Sequence, residues 1–237
     1  MLIAIPSKGR AGSTKSDKIL KGAKMFVPES EVHQYRNYCT NVVGVPNSVK
    51  GITPTRNWIL KNANDSRVVF IDDDVKSAGY IELGTRAKYV KVTDGKVWEV
   101  EFAKWFDLCD QMDYKIWGLK SESAPRSTYP YKPFLFRTYA TASCMGIVND
   151  GSYSFNEAYH VKEDYDICLR HIKERGGLLG VRYMHWENEH WGTNGGCKDY
   201  RTMKMEEDAI AMLRKDHPGM VRMAKREASA YTIELNL

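Results

Sequence analysis

The run Val68-Val69-Phe70-Ile71-Asp72-Asp73-Asp74-Val75 decides how the chain is read. Its four leading apolar residues, all β-branched or aromatic, show no polar alternation, the pattern of a central strand covered on both faces. In an open α/β sheet such a strand delivers its C-terminal end to the ligand crevice, and here that end is three consecutive carboxylates. Side by side in a low dielectric they repel by several kcal/mol unless a cation or a hydrogen-bond network compensates. Hard carboxylate oxygens suit Mg2+ or Mn2+. A solvated acidic turn, or aspartates capping a helix, accounts for the same residues, so the choice falls to the rest of the chain.

On the N-terminal side, Gly51 to Ala63 (GITPTRNWILKNA) reads as a helix, with Thr53 as N-cap and Pro54 at the first helical position. Arg56 and Asn57 then fall in the first turn, where the helix dipole disfavours a cation unless an anion is near. Arg56 therefore invites a phosphate or one of the aspartates, or else is an ordinary surface arginine. Val42 to Val45, Lys24 to Val27 and Leu2 to Pro6 read as strands, and Glu29 to about Cys39 as a helix. Ser7-Lys8-Gly9-Arg10-Ala11-Gly12-Ser13 follows the first strand as a polar loop with two glycines and two cations. Such a loop can cradle phosphates or form a basic surface turn, and it has neither Walker nor GxGxxG spacing.

On the C-terminal side, Lys88 to Val92 and Lys96 to Val100 around Thr93-Asp94-Gly95 predict a hairpin. Glu101 to Met112 follows as a helix whose Phe102, Trp105, Phe106 and Cys109 stripe belongs to a core. Ile116 to Leu119, Phe134 to Tyr139, Ser143 to Val148 and Leu178 to Tyr183 have strand character. Val161 to Arg175 is a helix stopped by Gly176-Gly177. Its first turn carries Glu163 and Asp164, which complement the dipole or aim into a cleft. Met184 to Cys197 reads as a loop rich in His, Trp and Gly, Met203 to Arg214 and Met220 to Ala230 as helices, and Tyr231 to Leu237 as an edge strand.

With 237 residues and 43% hydrophobic content the chain can bury one sizeable core. The net charge of +5 is scattered, so it points only weakly to a polyanionic partner. Five cysteines without a CxxC pair argue against a disulfide framework or zinc site and fit a reducing cytosol. No stretch has the length of a membrane span or the pattern of a signal peptide, so a cytoplasmic protein without a membrane partner is expected. Internal repeats and linkers are absent.

The order of these parts resembles a GT-A glycosyltransferase. The likeness rests on Ile5-Pro6-Ser7-Lys8-Gly9-Arg10, Thr55-Arg56-Asn57, Val69-Phe70-Ile71-Asp72-Asp73-Asp74, and Phe155-Asn156-Glu157 through Glu163-Asp164-Tyr165-Asp166. It implies an α/β fold: a single GT-A-like Rossmann-type domain over 1–237, with a mostly parallel central sheet flanked by helices and a small antiparallel hairpin. Residues to about 100 would hold a nucleotide-sugar, a UDP-sugar such as UDP-glucose, and residues 101–237 the acceptor. Carried over, Asp74 and Asp72 are the expected ligands of Mn2+ or Mg2+, with Asp72 nearer the ribose and Asp73 between them. Pro6, Ser7, Lys8, Arg10 and Arg56 assist the nucleotide. A late histidine completes the metal site in such folds; His190 and His185 are both open, and the glycines at Gly195 and Gly196 favour His190. Asp164, with Glu163 beside it, is the expected general base of an inverting transfer, and a retaining transfer needs none.

More narrowly, the Arg-Asn-Trp helix and Trp191-Gly192-Thr193-Asn194-Gly195-Gly196-Cys197-Lys198-Asp199-Tyr200-Arg201-Thr202 resemble the TET-associated glycosyltransferases of phages, proposed to glycosylate hydroxymethylated pyrimidines in DNA. That resemblance implies an acceptor such as 5-hydroxymethylcytosine in DNA, in the host cytoplasm. An acceptor base flipped from duplex would stack on Trp186, Trp191 or Tyr200, residues equally at home in a core. Three alternatives stay open: a glycosyltransferase with a non-DNA acceptor, a nucleotidyltransferase of the same fold, and a non-catalytic DNA-binding module.

Overall fold

A computed structural model describes residues 1–82, 88–119, 132–188, 201–223 and 233–237. The N-terminal half runs β1 (Leu2–Pro6), α1 (Ser16–Ile19), β2 (Lys24–Pro28), α2 (Val32–Arg36), β3 (Val42–Val45), α3 (Ile52–Asn62), β4 (Arg67–Ile71) and β5 (Val75–Glu82). Then come β6 (Lys88–Lys91), α4 (Gly95–Gln111), β7 (Ile116–Leu119), β8 (Phe134–Leu135) and β9 (Cys144–Val148). The chain closes with α5 (Glu163–Arg175), β10 (Leu179–Val181), β11 (Met184–Asn188), α6 (Met203–Asp216), β12 (Val221–Met223) and β13 (Ile233–Leu235).

The large sheet has the order β3-β2-β1-β4-β9-β7-β10-β8. Strands β3, β2, β1 and β4 are parallel, and β10 is parallel to β7. Only β9, between β4 and β7, and β8 at the edge run the other way. The decisive strand sits at the centre, with Val68 to Ile71 all at 0% exposure. Its side chains feed two cores by simple alternation. Val69 and Ile71 pack on the face that holds α4, and Val68 and Phe70 on the face with Ile59 of α3 and Ile167 of α5. On the α4 face, Phe102 stacks on Trp117 with centroids 5.4 Å apart, and Trp105 meets the same indole edge-on at 4.8 Å. Trp117 lies so flat on β9 that a Cβ at Gly146 would fall 2.1 Å from its ring; only glycine allows that approach.

Several expectations are corrected. Lys96 to Val100 is not the second arm of a hairpin but the start of α4, because the Asp94 carboxylate accepts from the Lys96 amide at 2.9 Å as an N-cap. Trp98, Phe102, Trp105, Phe106 and Cys109 then bury at helical spacing. The antiparallel hairpin is formed by β5 and β6, with β11 on the other side of β5. Met184 to Asn188 is thus a strand rather than a loop. In α3 the N-cap is Gly51, at φ 95°, and Thr53 lies inside the helix, where its hydroxyl donates to the Tyr159 carbonyl at 2.8 Å. Val221 to Met223 pairs with β13 instead of opening a helix, and the Phe134 strand stops at Leu135.

His171, on α5, ties that helix to the sheet. Its Nε2 accepts from the Lys115 amide at 2.9 Å, which makes Nδ1 the donor to the Gly177 carbonyl at 2.7 Å. Burial pushes its pKa down to about 4, against the opposing pull of the Gly177 carbonyl. Because the unfolded chain binds the proton more readily, the stability held by neutral His171 is complete above about pH 6.5 and is lost as pH falls toward 4. A His171→Gln variant isolates the effect from the carboxylates, which are common to both chains. Denaturant titrations should show wild type losing about 3 kcal/mol relative to it between pH 7 and 4; a constant gap would disprove a neutral His171.

Candidate active site

The aspartate turn between β4 and β5 is built by backbone bonds. Ser16 Oγ donates to the Asp72 carbonyl at 2.5 Å and accepts from the Val75 amide at 3.1 Å. The Asp72 amide donates to Ser143 O at 3.2 Å, and the Lys15 amide to Asp73 O at 2.9 Å. So held, the three side chains separate. Asp73 turns inward and is buried; it accepts from the Ser7 hydroxyl and from Arg10 Nη1 at 2.5 Å. Ser7 is 2.7 Å from the Tyr35 hydroxyl, which accepts from the Arg10 amide at 3.0 Å. Burial pushes Tyr35 up to about 12 and keeps it protonated. Asp73 thus braces the basic loop after β1.

Asp72 and Asp74 remain half-buried. Asp72 lies 3.4 Å from Arg56 Nη2 and its side chain keeps 39% of its exposure. Asp74 accepts from Asn188 Nδ2 of β11 at 2.8 Å and lies 3.8 Å from Arg10. Arg56 is in the second turn of α3, clear of the helix start, and reaches across to Glu163 at the start of α5. Glu163 is itself buried. Desolvation raises the Asp72, Asp73 and Glu163 pKa values; Arg56 opposes this at Asp72 and Glu163, and Ser7 and Arg10 oppose it at Asp73. Asp164, half-buried, accepts from the Ala142 amide at 3.3 Å and from the Tyr165 amide at 2.9 Å. Since Ser143 receives the Asp72 amide, the lead-in to β9 is flanked by the aspartate turn and by Asp164.

The structure therefore brings together Ser7, Arg10, Arg56, Asp72, Asp73, Asp74, Glu163 and Asp164, with Pro6 ending β1 and Lys8 exposed on its loop. It does not bring His185 there. That residue pairs with Gly79, roughly 16 Å along β5 from Asp74 at ~3.3 Å per residue, and its ring meets Tyr89 edge-on at 5.2 Å. Trp186 is corrected as a base-stacking surface: it is fully buried and packs against Trp98 at 5.0 Å. His190, Trp191, Gly195, Gly196 and Tyr200 lie outside the described residues. Sequence reasoning missed Ser16, Tyr35 and Asn188, whose partners stand 56, 28 and 114 positions away; no local pattern marks them.

Among the described residues no three His, Cys, Asp or Glu side chains converge as a ready metal cage. The donors still fit Mg2+ or Mn2+. Such ions are commonly held by one or two carboxylates plus substrate phosphates, and here four carboxylates, Asp72, Asp73, Asp74 and Glu163, face two guanidiniums, Arg10 and Arg56. Among the described residues the carboxylates of this cluster outnumber its guanidiniums by two.

No curated protein matches the chain. Among solved structures, Staphylococcus aureus TarS (1-349, in complex with UDP-GlcNAc) is 12% identical with a TM-score of 0.53, over 91% of this chain and 65% of that one. This chain therefore spans less than two thirds of the TarS chain. Mycobacterium tuberculosis glucosyl-3-phosphoglycerate synthase, with phosphoglyceric acid, is 12% identical with a TM-score of 0.55, over 98% and 85% of the two chains. The same synthase with Mn2+, UDP-glucose and glycerol 3-phosphate is 13% identical with a TM-score of 0.53, over 98% and 85%. These likenesses establish the GT-A fold. Residues 1–196 match the model of one family, and that span carries the aspartate turn, Arg56 and the acidic start of α5: the chain belongs to the TET-associated glycosyltransferases.

Proposed function

We propose that the protein moves a sugar from a UDP-sugar to a hydroxymethylated pyrimidine, such as 5-hydroxymethylcytosine, in DNA. The observation that carries the reading is the excess of carboxylates over guanidiniums, among the described residues, around the end of β4 in a member of this family. Asp74 and Asp72 would hold Mn2+ or Mg2+, which offsets charge on the departing diphosphate. His190 is the preferred third ligand, because Asn188, two residues earlier, is bonded to Asp74. Arg10 and Lys8 would assist the diphosphate, Gly195 and Gly196 would approach it closely, and Asp73 would keep their loop in place. Arg56 ties Asp72 to Glu163, and Asp164 would take the proton of the acceptor hydroxyl. Trp191 and Tyr200 are the aromatics offered for base stacking. The UDP-sugar and Mn2+ of the synthase complex support the choice of donor and metal.

A DNA acceptor finds support on α3, where Pro54, Asn57, Trp58 and Lys61 form one helical face. With Lys50 and Glu157 they line a groove of about 420 Å³, whose one aromatic and two cations against one carboxylate suit a nucleic-acid backbone. Replacing Lys50 and Lys61 by alanine should weaken DNA binding and lower the slope of log K against log salt by roughly 0.9 per lysine. An unchanged slope would remove the groove from the DNA path.

The decisive test incubates a panel of nucleotide-sugars with hydroxymethylated and plain duplexes, then digests them to nucleosides for mass measurement. The expected product is a hexosylated nucleoside from the hydroxymethylated duplex alone, with release of a nucleoside diphosphate. Pyrophosphate release would mean nucleotidyl transfer, and no product on DNA would mean another acceptor.

A further inference from the structure

The family match ends at residue 196, yet α6, beyond it, is built into the site. Glu206 lies in the first turn of α6 and is buried, at 5% exposure. Its carboxylate receives Arg201 on one oxygen and lies 3.1 Å from Lys162 Nζ on the other. Lys162 immediately precedes Glu163 and Asp164. Its backbone is left-handed, at φ 62°, a conformation that costs a residue with a Cβ on the order of 1–3 kcal/mol unless its surroundings hold it. Its carbonyl accepts from the Tyr165 and Asp166 amides at 3.1 and 3.3 Å, so it sets where α5 begins. The ammonium also lies over the Tyr165 ring at 5.4 Å, and that ring stacks on Tyr139 at 4.6 Å. At its other end α6 delivers His217, whose Nε2 is 2.9 Å from Asp166. Two contacts from α6 thus grip the acidic turn on either side of Asp164.

We infer that Glu206 is a positioning residue: through Lys162 it fixes the left-handed entry to α5 and so aims the Asp164 carboxylate at the acceptor. The inference rests on the base role proposed for Asp164, and that dependence shapes the test.

Full-length Glu206→Gln keeps the side-chain volume and removes the charge that holds Lys162. It should fold, bind UDP with Mn2+ as wild type does, and keep the KM for UDP-glucose, while kcat on hydroxymethylated duplex falls by ~10-fold, about 1.4 kcal/mol of transition-state stabilisation. Hydrogen exchange at the Tyr165 and Asp166 amides should accelerate without ligand, while the β4 amides keep their protection. A purely structural role would lower stability and leave kcat per folded molecule unchanged. Asp164→Asn is run in parallel. If it is inactive and Glu206→Gln retains full kcat, the inference is overturned and the base role stands. If Asp164→Asn is fully active, the base role falls, and exchange decides what remains: unchanged protection at Tyr165 and Asp166 overturns the clamp itself. Lys162→Met is the second variant, since it removes the ammonium while keeping a Cβ on the left-handed backbone. Wild-type turnover there would overturn the role of Glu206, which acts through that ammonium; a loss matching Glu206→Gln supports it.

Discussion

Arg56→Met is expected to destabilise the fold by about 3–5 kcal/mol, the usual cost of stranding a buried charge. Arg56 is 3% exposed, and its guanidinium is bonded to buried Glu163, lies 3.4 Å from Asp72 and sits 5.6 Å from the Phe155 ring centroid. Methionine fills the volume next to Phe155 but leaves Glu163 ionisable and unpartnered by Arg56 inside the protein. Adding Glu163→Leu removes that second charge, so the double variant should recover most of the lost stability without recovering sugar transfer. Urea unfolding of the three chains separates the two effects. A single variant within about 1 kcal/mol of wild type would mean that water already screens the pair and that Arg56 is no bridge between α3 and α5.

Asp74→Asn carries the largest expected effect on activity. The amide is nearly isosteric and can still accept from Asn188 Nδ2 through its oxygen, so the fold should persist. What it loses is the negative charge that, in the proposed function, holds a cation beside the diphosphate. A fall in kcat of roughly a hundredfold or more is expected, the scale for removing one electrostatic stabiliser. Wild type held at a hundred times the Kd of UDP with Mn2+ should gain about 2.7 kcal/mol of stability, and the variant far less. Undiminished Mn2+-dependent stabilisation by UDP in Asp74→Asn would move the metal elsewhere. The same experiment on Asp73→Asn should read differently, because Asp73 holds Ser7 and Arg10: its loss should loosen the basic loop.

The family match extends along the first 196 residues, but the geometry shows why the chain beyond them matters to the same site. Buried Glu206 and His217 come from outside the matched region and hold both sides of the turn that carries Asp164.

Much of this was legible residue by residue. An unbroken Val-Val-Phe-Ile run can bury only between two covered faces, so the central place of β4 and the exit of three aspartates at its crevice end follow from composition and order alone. Arg56 was readable as a cation in want of an anion, although its position two residues further into the helix and its bond to Glu163 were not. Local periodicity failed where a side chain captured backbone: the Asp94 carboxylate turned an apparent hairpin into the start of α4. The His-Trp segment read as a loop became β11 because the hydrogen-bonding edge of β5 lay open to it, a partner 104 positions earlier at the Met184–Tyr80 pair. Which aspartate does what is also a tertiary matter. Three identical neighbours acquire different roles because Ser7 and Arg10 take one and Asn188 another, while Arg56 flanks the third; these contacts exist only once β1, α3 and β11 are folded around the same turn. The sequence by itself determined the strand, the acidity at its end and the family; the tertiary structure decided which partners each aspartate takes, since a carboxylate's environment comes from residues distant in the chain.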